Sequence, residues 1–112
     1  MTKPLSELQC APRQTALDDA STVILLAQVP GWTIEDGMLG RHFAFHDYYQ
    51  TIAFVNALAF VTHAQDHHPE LTITYNTCAV RYQTHSVGGL SENDFICAAK
   101  ADALYAGAAG RA

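Results

Sequence analysis

No apolar run in this chain approaches the roughly 18 residues needed to cross a bilayer. The chain also has no cluster of lysine and arginine, no CxxC pair and no internal repeat. Each absence closes a class of function. The missing apolar run excludes a membrane-spanning helix. The opening MTKPLSELQCAPRQ places charges and prolines where a secretory signal would carry its apolar stretch, so a soluble, cytoplasmic protein is expected. Six Lys and Arg stand against eleven Asp and Glu, a formal charge of −5. Binding to a phosphate backbone rests on cations displacing counterions, so nucleic acid is not expected as a partner, and neither is a membrane. Cys10, Cys78 and Cys97 are odd in number and scattered, which argues against a disulfide framework or a zinc–thiolate site. Three reduced and mostly buried thiols are expected instead.

What is present is enough for one core. With 112 residues, 49% of them apolar, the chain is read as a single domain over 1–112, with frayed ends at about 1–13 and 106–112. Leu17 to Val29 carries Leu17, Ala20, Val23, Ile24 and Ala27 at helical spacing, with Thr15 as N-cap and Pro30-Gly31-Trp32 as the stop. A hairpin follows, Trp32–Glu35 and Leu39–Phe45, turning at Asp36-Gly37. Asp47 caps a helix from Tyr48 to about Gln65 that is apolar nearly all round and is therefore expected to be central. Residues 71–75 and 77–85 alternate as two half-buried strands turning at Asn76-Thr77. A last helix starts near Leu90, where Ser91 and Asp94 have the spacing of a capping box with Asp in place of Glu. The order α-β-β-α-β-β-α predicts an α+β fold, a four-stranded antiparallel sheet with three helices on one face. A sheet this small has exposed edges, and a homodimer or a dimer of dimers is expected to cover them.

The chemistry lies in the histidines. His67 and His68 are adjacent at a helix exit, and His85 ends the final strand. Antiparallel pairing folds His85 back toward them, so the hairpin converts separation in sequence into proximity at one cleft. Imidazole, with an unperturbed pKa near 6.5, gives or takes a proton at neutral pH at little cost. His42 and His46 read as ordinary surface or core residues. His63 and His67 stand four apart, a spacing that suits a metal, but no Glu follows His63 in an HExxH arrangement and no Cys ligand is near, so no metal is expected.

His63, His67-His68-Pro69, Tyr75, His85 and Asp94 fall in the register of the signature of the pterin-4a-carbinolamine dehydratase family, which the sequence resembles. The resemblance extends over about residues 15–105 and includes Gly31-Trp32, Phe43, Phe45 and Asp47, Tyr75-Asn76-Thr77 and THSVGGLSENDF at 84–95. Leu71 and Gln83 depart from it, standing where an aromatic and a small polar residue are common. It implies dehydration of 4a-hydroxytetrahydropterin to quinonoid dihydropterin, a hydro-lyase reaction in pterin recycling with no cofactor and no metal. By carry-over, His67, His68 and His85 are catalytic. Asp66, Thr84 and Ser86 line the pterin, and His63 and Asp94 support them, Asp94 as helix cap or orienter. The alternative carried by the same family is a protein-binding dimerisation or coactivator module without a catalytic role.

Overall fold

The computed structural model describes residues 3–109. Three helices, α1 (Asp19–Leu26), α2 (Tyr48–Gln65) and α3 (Glu92–Ala109), alternate with two hairpins, β1 (Thr33–Glu35) with β2 (Met38–Ala44) and β3 (Glu70–Ile73) with β4 (Thr77–Tyr82). The order is α-β-β-α-β-β-α and the fold is α+β, as the pattern predicted. All pairings are antiparallel, and the strand order is β1-β2-β4-β3. The second hairpin therefore joins the first through β4, opposite residues being Leu39 and Tyr82, and Phe43 and Cys78.

Period-two alternation explains the layering. Leu39 and Phe43 of β2 and Cys78, Val80 and Tyr82 of β4 share one face and are buried, while His42 and Ala44 lie exposed on the other. Phe54 and Leu58 of α2 and Phe95, Ala98 and Ala101 of α3 complete the core with Trp32. The first hairpin turns through Asp36 (φ 53°) and Gly37 (φ 75°), the two left-handed residues a tight hairpin needs.

Several boundaries moved for local reasons. The N-cap of α1 is Asp18, whose carboxylate accepts from Ser21 N at 2.7 Å, so the helix begins two residues beyond the expected Leu17. Thr15 plays no part in that cap: a carboxylate three residues before the donating Ser21 N–H has displaced it. Asp47 caps α2 as expected, accepting from Gln50 N at 2.9 Å. That helix is not central, however. Its buried residues are Thr51, Phe54, Leu58 and Thr62, a single stripe, and Phe60 and Tyr49 on the other side are 78% and 81% exposed.

The ends differ from expectation as well. The segment before α1, expected to fray over about 1–13, is laid along α3 and the end of α2. Leu5 is buried, and Lys100 Nζ donates to Ser6 O at 2.9 Å. Cys10 N donates to Gln65 Oε1 at 2.8 Å, and Asn93 both accepts from Ala11 N (3.1 Å) and donates to Ala11 O (2.8 Å). At the other end α3 continues to Ala109, past the expected limit, and 110–112 lie outside the described residues.

A second fixed point joins α3 to the first hairpin. Asp102 accepts from Trp32 Nε1 (2.8 Å) and from Arg41 Nη1 (2.7 Å), and the Arg41 guanidinium lies 4.5 Å over the Phe43 ring. The chain can approach Arg41 this closely because position 31 is glycine: a Cβ there would stand 2.9 Å from Arg41 Nη1. Asp102→Ala leaves two donors without their acceptor and is expected to cost about 1–3 kcal/mol in chemical denaturation, with Asp102→Asn losing less because it keeps an acceptor. Equal losses in the two variants would show that the acceptor is not what matters.

Candidate active site

The end of α2 sets the site. Asp66, its C-cap, is left-handed (φ 52°, ψ 42°), a conformation that Asp tolerates better than most residues. Its N–H bonds to His63 O, and the N–H of His67 returns to Thr62 O at 3.1 Å. The helix thus ends before His67, and the one-turn relation of His63 to His67 that would suit a metal does not arise. Among the described residues no three His, Cys, Asp or Glu side chains are grouped to hold a metal ion.

Leaving the helix this way delivers the His67 ring to Asp94. Nε2 of His67 lies 2.6 Å from Asp94 Oδ1, and the imidazole stacks on Tyr82, centroids 5.7 Å apart and planes within 10°. Asp94 is fully buried and the His67 side chain is 12% exposed. The other carboxylate oxygen accepts from Thr84 Oγ1 (2.8 Å) and from Ser91 N (2.9 Å), and the hydroxyls of Thr84 and Ser91 lie 2.8 Å apart. Asp94 is therefore both things the sequence allowed. As the third residue of α3 it reaches back to the N–H of the capping Ser91, and with its free oxygen it holds His67. Because Nε2 faces a carboxylate, Nδ1 is the ring nitrogen left for other chemistry.

The second segment arrives differently from its expectation. Strand β4 stops at Tyr82, and His85 opens a 3-10 turn, His85–Val87, that closes at Gly88 (φ 66°). Thr84 forms a bridge with Gly89, donating its N–H to Gly89 O at 2.9 Å, while its carbonyl accepts from Val87 N. The Ser-Val-Gly-Gly stretch after His85 ends the strand early, because a turn that closes on itself withdraws Thr84 and His85 from the ladder. Extending the register of Glu70 opposite Arg81 runs to His67 and Thr84, and those two do meet, through Asp94.

A depression of about 350 Å³ is lined by Thr62, His63, Asp66, His67 and His68. His63, Asp66 and His68 are exposed there, and His85 and Ser86 are exposed on the 3-10 turn next to Thr84. The structure thus brings His67, Thr84 and Asp94 into one bonded network and leaves the remaining candidates at the surface around it. Sequence reasoning missed Tyr82 as the platform of the His67 ring. Its only signal was the alternation that placed a large aromatic on the buried face, three positions before His85.

Burial would depress the His67 pKa, but the hydrogen bond and the charge of Asp94 outweigh it, and the imidazole is raised above its ordinary 6.5. The site therefore holds one imidazole biased toward its protonated form, on a buried carboxylate.

An antiparallel sheet backed by helices, with a buried histidine–carboxylate pair at the strand ends, defines a small α+β protein. The chain belongs to the family described as pterin 4 alpha carbinolamine dehydratase, which it matches over residues 15–104. A Stenotrophomonas maltophilia protein named "Putative pterin-4-alpha-carbinolamine dehydratase" is 53% identical over 106 residues, covering 90% of this chain and 91% of that one. A protein of the same name from Xanthomonas campestris is 55% identical over 107 residues, with 91% of both chains covered. Among solved structures, the Brucella melitensis transcriptional coactivator/pterin dehydratase superposes with a TM-score of 0.78 at 30% identity, over 81% of this chain and 99% of that one. A pterin dehydratase-like protein described as a RuBisCO assembly factor in the alpha-carboxysome gives a TM-score of 0.57 at 29% identity, over 66% and 86%.

Replacing Asp94 by Asn removes the charge that holds His67 protonated. The His67 ring, followed by NMR, is expected to titrate above 6.5 in the native protein and at lower pH in D94N. A group whose folded pKa is raised stabilises fully below its unfolded value and loses that contribution as pH rises through the folded pKa. The stability gap between native protein and D94N should therefore narrow as pH climbs through the range just above 6.5, leaving only the capping share. An unchanged His67 titration in folded D94N would refute the assignment.

Proposed function

We propose that this protein dehydrates 4a-hydroxytetrahydropterin to quinonoid dihydropterin, with His67 as general acid. The observation that carries the proposal is the His67–Asp94 pair, built into the start of α3, with His63 and His68 lining the same depression as His67 and His85 following Thr84 in the chain. Loss of the 4a-hydroxyl requires a proton delivered to the departing oxygen, so that it leaves as water, and a proton removed from a ring nitrogen or ring hydroxyl. His67 in its imidazolium form keeps Nε2–H on Asp94 and offers Nδ1–H to the hydroxyl. His68 and His85, exposed on either side, supply the base. Asp66 and Ser86 border the pterin. Thr84 has its hydroxyl, N–H and carbonyl engaged within the protein, so its part is to hold Asp94 in place.

The test is a dehydratase assay on enzymatically generated 4a-hydroxytetrahydropterin, with the uncatalysed rate subtracted at each pH. His67→Ala and His85→Ala are each expected to lower turnover by about 10²–10⁴-fold, the range for losing a general acid or base. His42→Ala, on the open face of the sheet, should leave it unchanged, and activity should survive chelation. Full activity in H67A would overturn the mechanism. A native protein without dehydratase activity would favour the reading as a protein-binding module.

Assembly follows from the edges. The outer sides of β1 and β3 are unpaired among the described residues, and Ile73 and Tyr75 beside the β3 edge are 41% and 64% exposed. A homodimer or a dimer of dimers covers such edges. Light scattering at micromolar concentration is expected to give at least a dimer, and a stable monomer would refute this.

A further inference from the structure

The N-terminal segment carries a feature the dehydratase reading does not use. Cys10 Sγ lies 3.5 Å from Cys97 Sγ, although the two residues are 87 apart in sequence. Their approach is built by the packing around them. Asn93 grips Ala11 through both its amide oxygen and its amide nitrogen, and it also accepts from Arg13 Nε at 3.0 Å. Cys97 stands four residues after Asn93, one turn along the same face of α3. Gln65 fixes the other side of Cys10 by accepting from its N–H. With residues 10 and 11 so held, the Cys10 side chain is set down on Cys97.

We propose that Cys10 and Cys97 form a reversible intramolecular disulfide, making this pair an oxidation site that clips the N-terminal segment to α3. The chemistry divides between the two thiols. Cys10 is part-exposed and can meet an oxidant, whereas Cys97 is buried and waits behind it. The hydrogen bond to Cys97 draws the Cys10 thiol below its ordinary range against the upward push of burial, and the charges of His67, Lys100 and Arg13 act in the same direction. With a hydroperoxide as oxidant, the Cys10 sulfur attacks the peroxide O–O bond, giving a sulfenic acid and releasing water or alcohol. The Cys97 sulfur then displaces the hydroxyl from the sulfenic sulfur, its proton leaving with that oxygen as a second water. Two thiols lose two electrons and two protons, and one peroxide is reduced. Closing the bond to its usual length of about 2.05 Å needs an approach of roughly 1.5 Å. A change of the Cys10 side-chain rotamer with a small backbone adjustment outside regular secondary structure can make it while α3 and the Ala11–Asn93 bonds stay in place.

The experiment treats the reduced, full-length protein with near-stoichiometric hydrogen peroxide, followed by intact mass, peptide mapping and melting. The expected result is a mass lower by two hydrogens, restored by a thiol reductant, and one cross-linked peptide pair joining Cys10 to Cys97. The bond closes a long loop, so the oxidised form should melt higher by on the order of 10 °C. Cys10→Ser, a change at a part-exposed position that leaves the core intact, should abolish the cross-link, and Cys78→Ala should not affect it. Oxygen uptake at Cys10 without cross-linking, a link between two chains, or no reaction at Cys10 would each overturn the proposal.

Discussion

A carboxylate with no exposure to solvent survives in a folded protein only if its oxygens are hydrogen-bonded, and Asp94 meets that condition with three partners from three parts of the chain. His67 comes from the exit of α2, Thr84 from the residues after β4, and Ser91 from the start of α3 itself. Each partner is brought there by its own local device: the left-handed Asp66, the early end of β4 and the capping geometry of α3. The cost of burying the charge therefore fixes where three elements end relative to one another. Removing any one of them leaves a polar group stranded in the interior, which is more costly than the bond it replaces is favourable. Structure and site share one interaction.

Asp102 makes the same kind of demand two turns further along α3. It gathers Trp32 and Arg41, both from the first hairpin, while Asp94 gathers groups from the second half of the chain. Helix α3 thus acts as a ruler with a carboxylate at each of two marks about 12 Å apart along its axis. Between them it presents Ala98 and Ala101 to the core, small residues on the buried face of the helix. Helix position, and with it the His67 ring, is set by directional polar contacts as well as by apolar area.

The parts of the fold that were legible in sequence are those governed by neighbours within a few residues. Alternation gave Cys78, Val80 and Tyr82 their face, Asp36-Gly37 gave the turn, and Asp47 and the Ser91–Asp94 spacing gave two helix starts. The parts that were not legible depend on partners far away. Nothing near Ala11 announces Asn93, 82 residues on, so the N-terminal segment looked free to fray. Helix α2 read as central because its composition is apolar all round, yet only Thr51, Phe54, Leu58 and Thr62 are buried within one chain. Periodicity reports which residues could be buried; the neighbouring elements decide which are. Strand β4 was overextended for a related reason, since alternation through Gln83 to His85 cannot see that Thr84 will turn inward to Asp94 and Gly89. The bond that organises His67 joins it to Asp94, 27 residues on, and no pattern within a few residues of either announces it.

Histidines that titrate alike would compete for the same role, whereas acid and base can be told apart once their surroundings differ. Here the surroundings differ sharply. His67 has lost most of its contact with water, stands against Tyr82 and shares a bond with a buried carboxylate, while His68 and His85 remain in solvent. The left-handed residue at 66 turns the chain so that position 67 points into the protein and position 68 out of it. An Asp at that position, tolerant of positive φ, is thus the local cause of the different surroundings of two identical side chains. The same inward turn sets His67 where positive charge on its ring acts to lower the pKa of the Cys10 thiol.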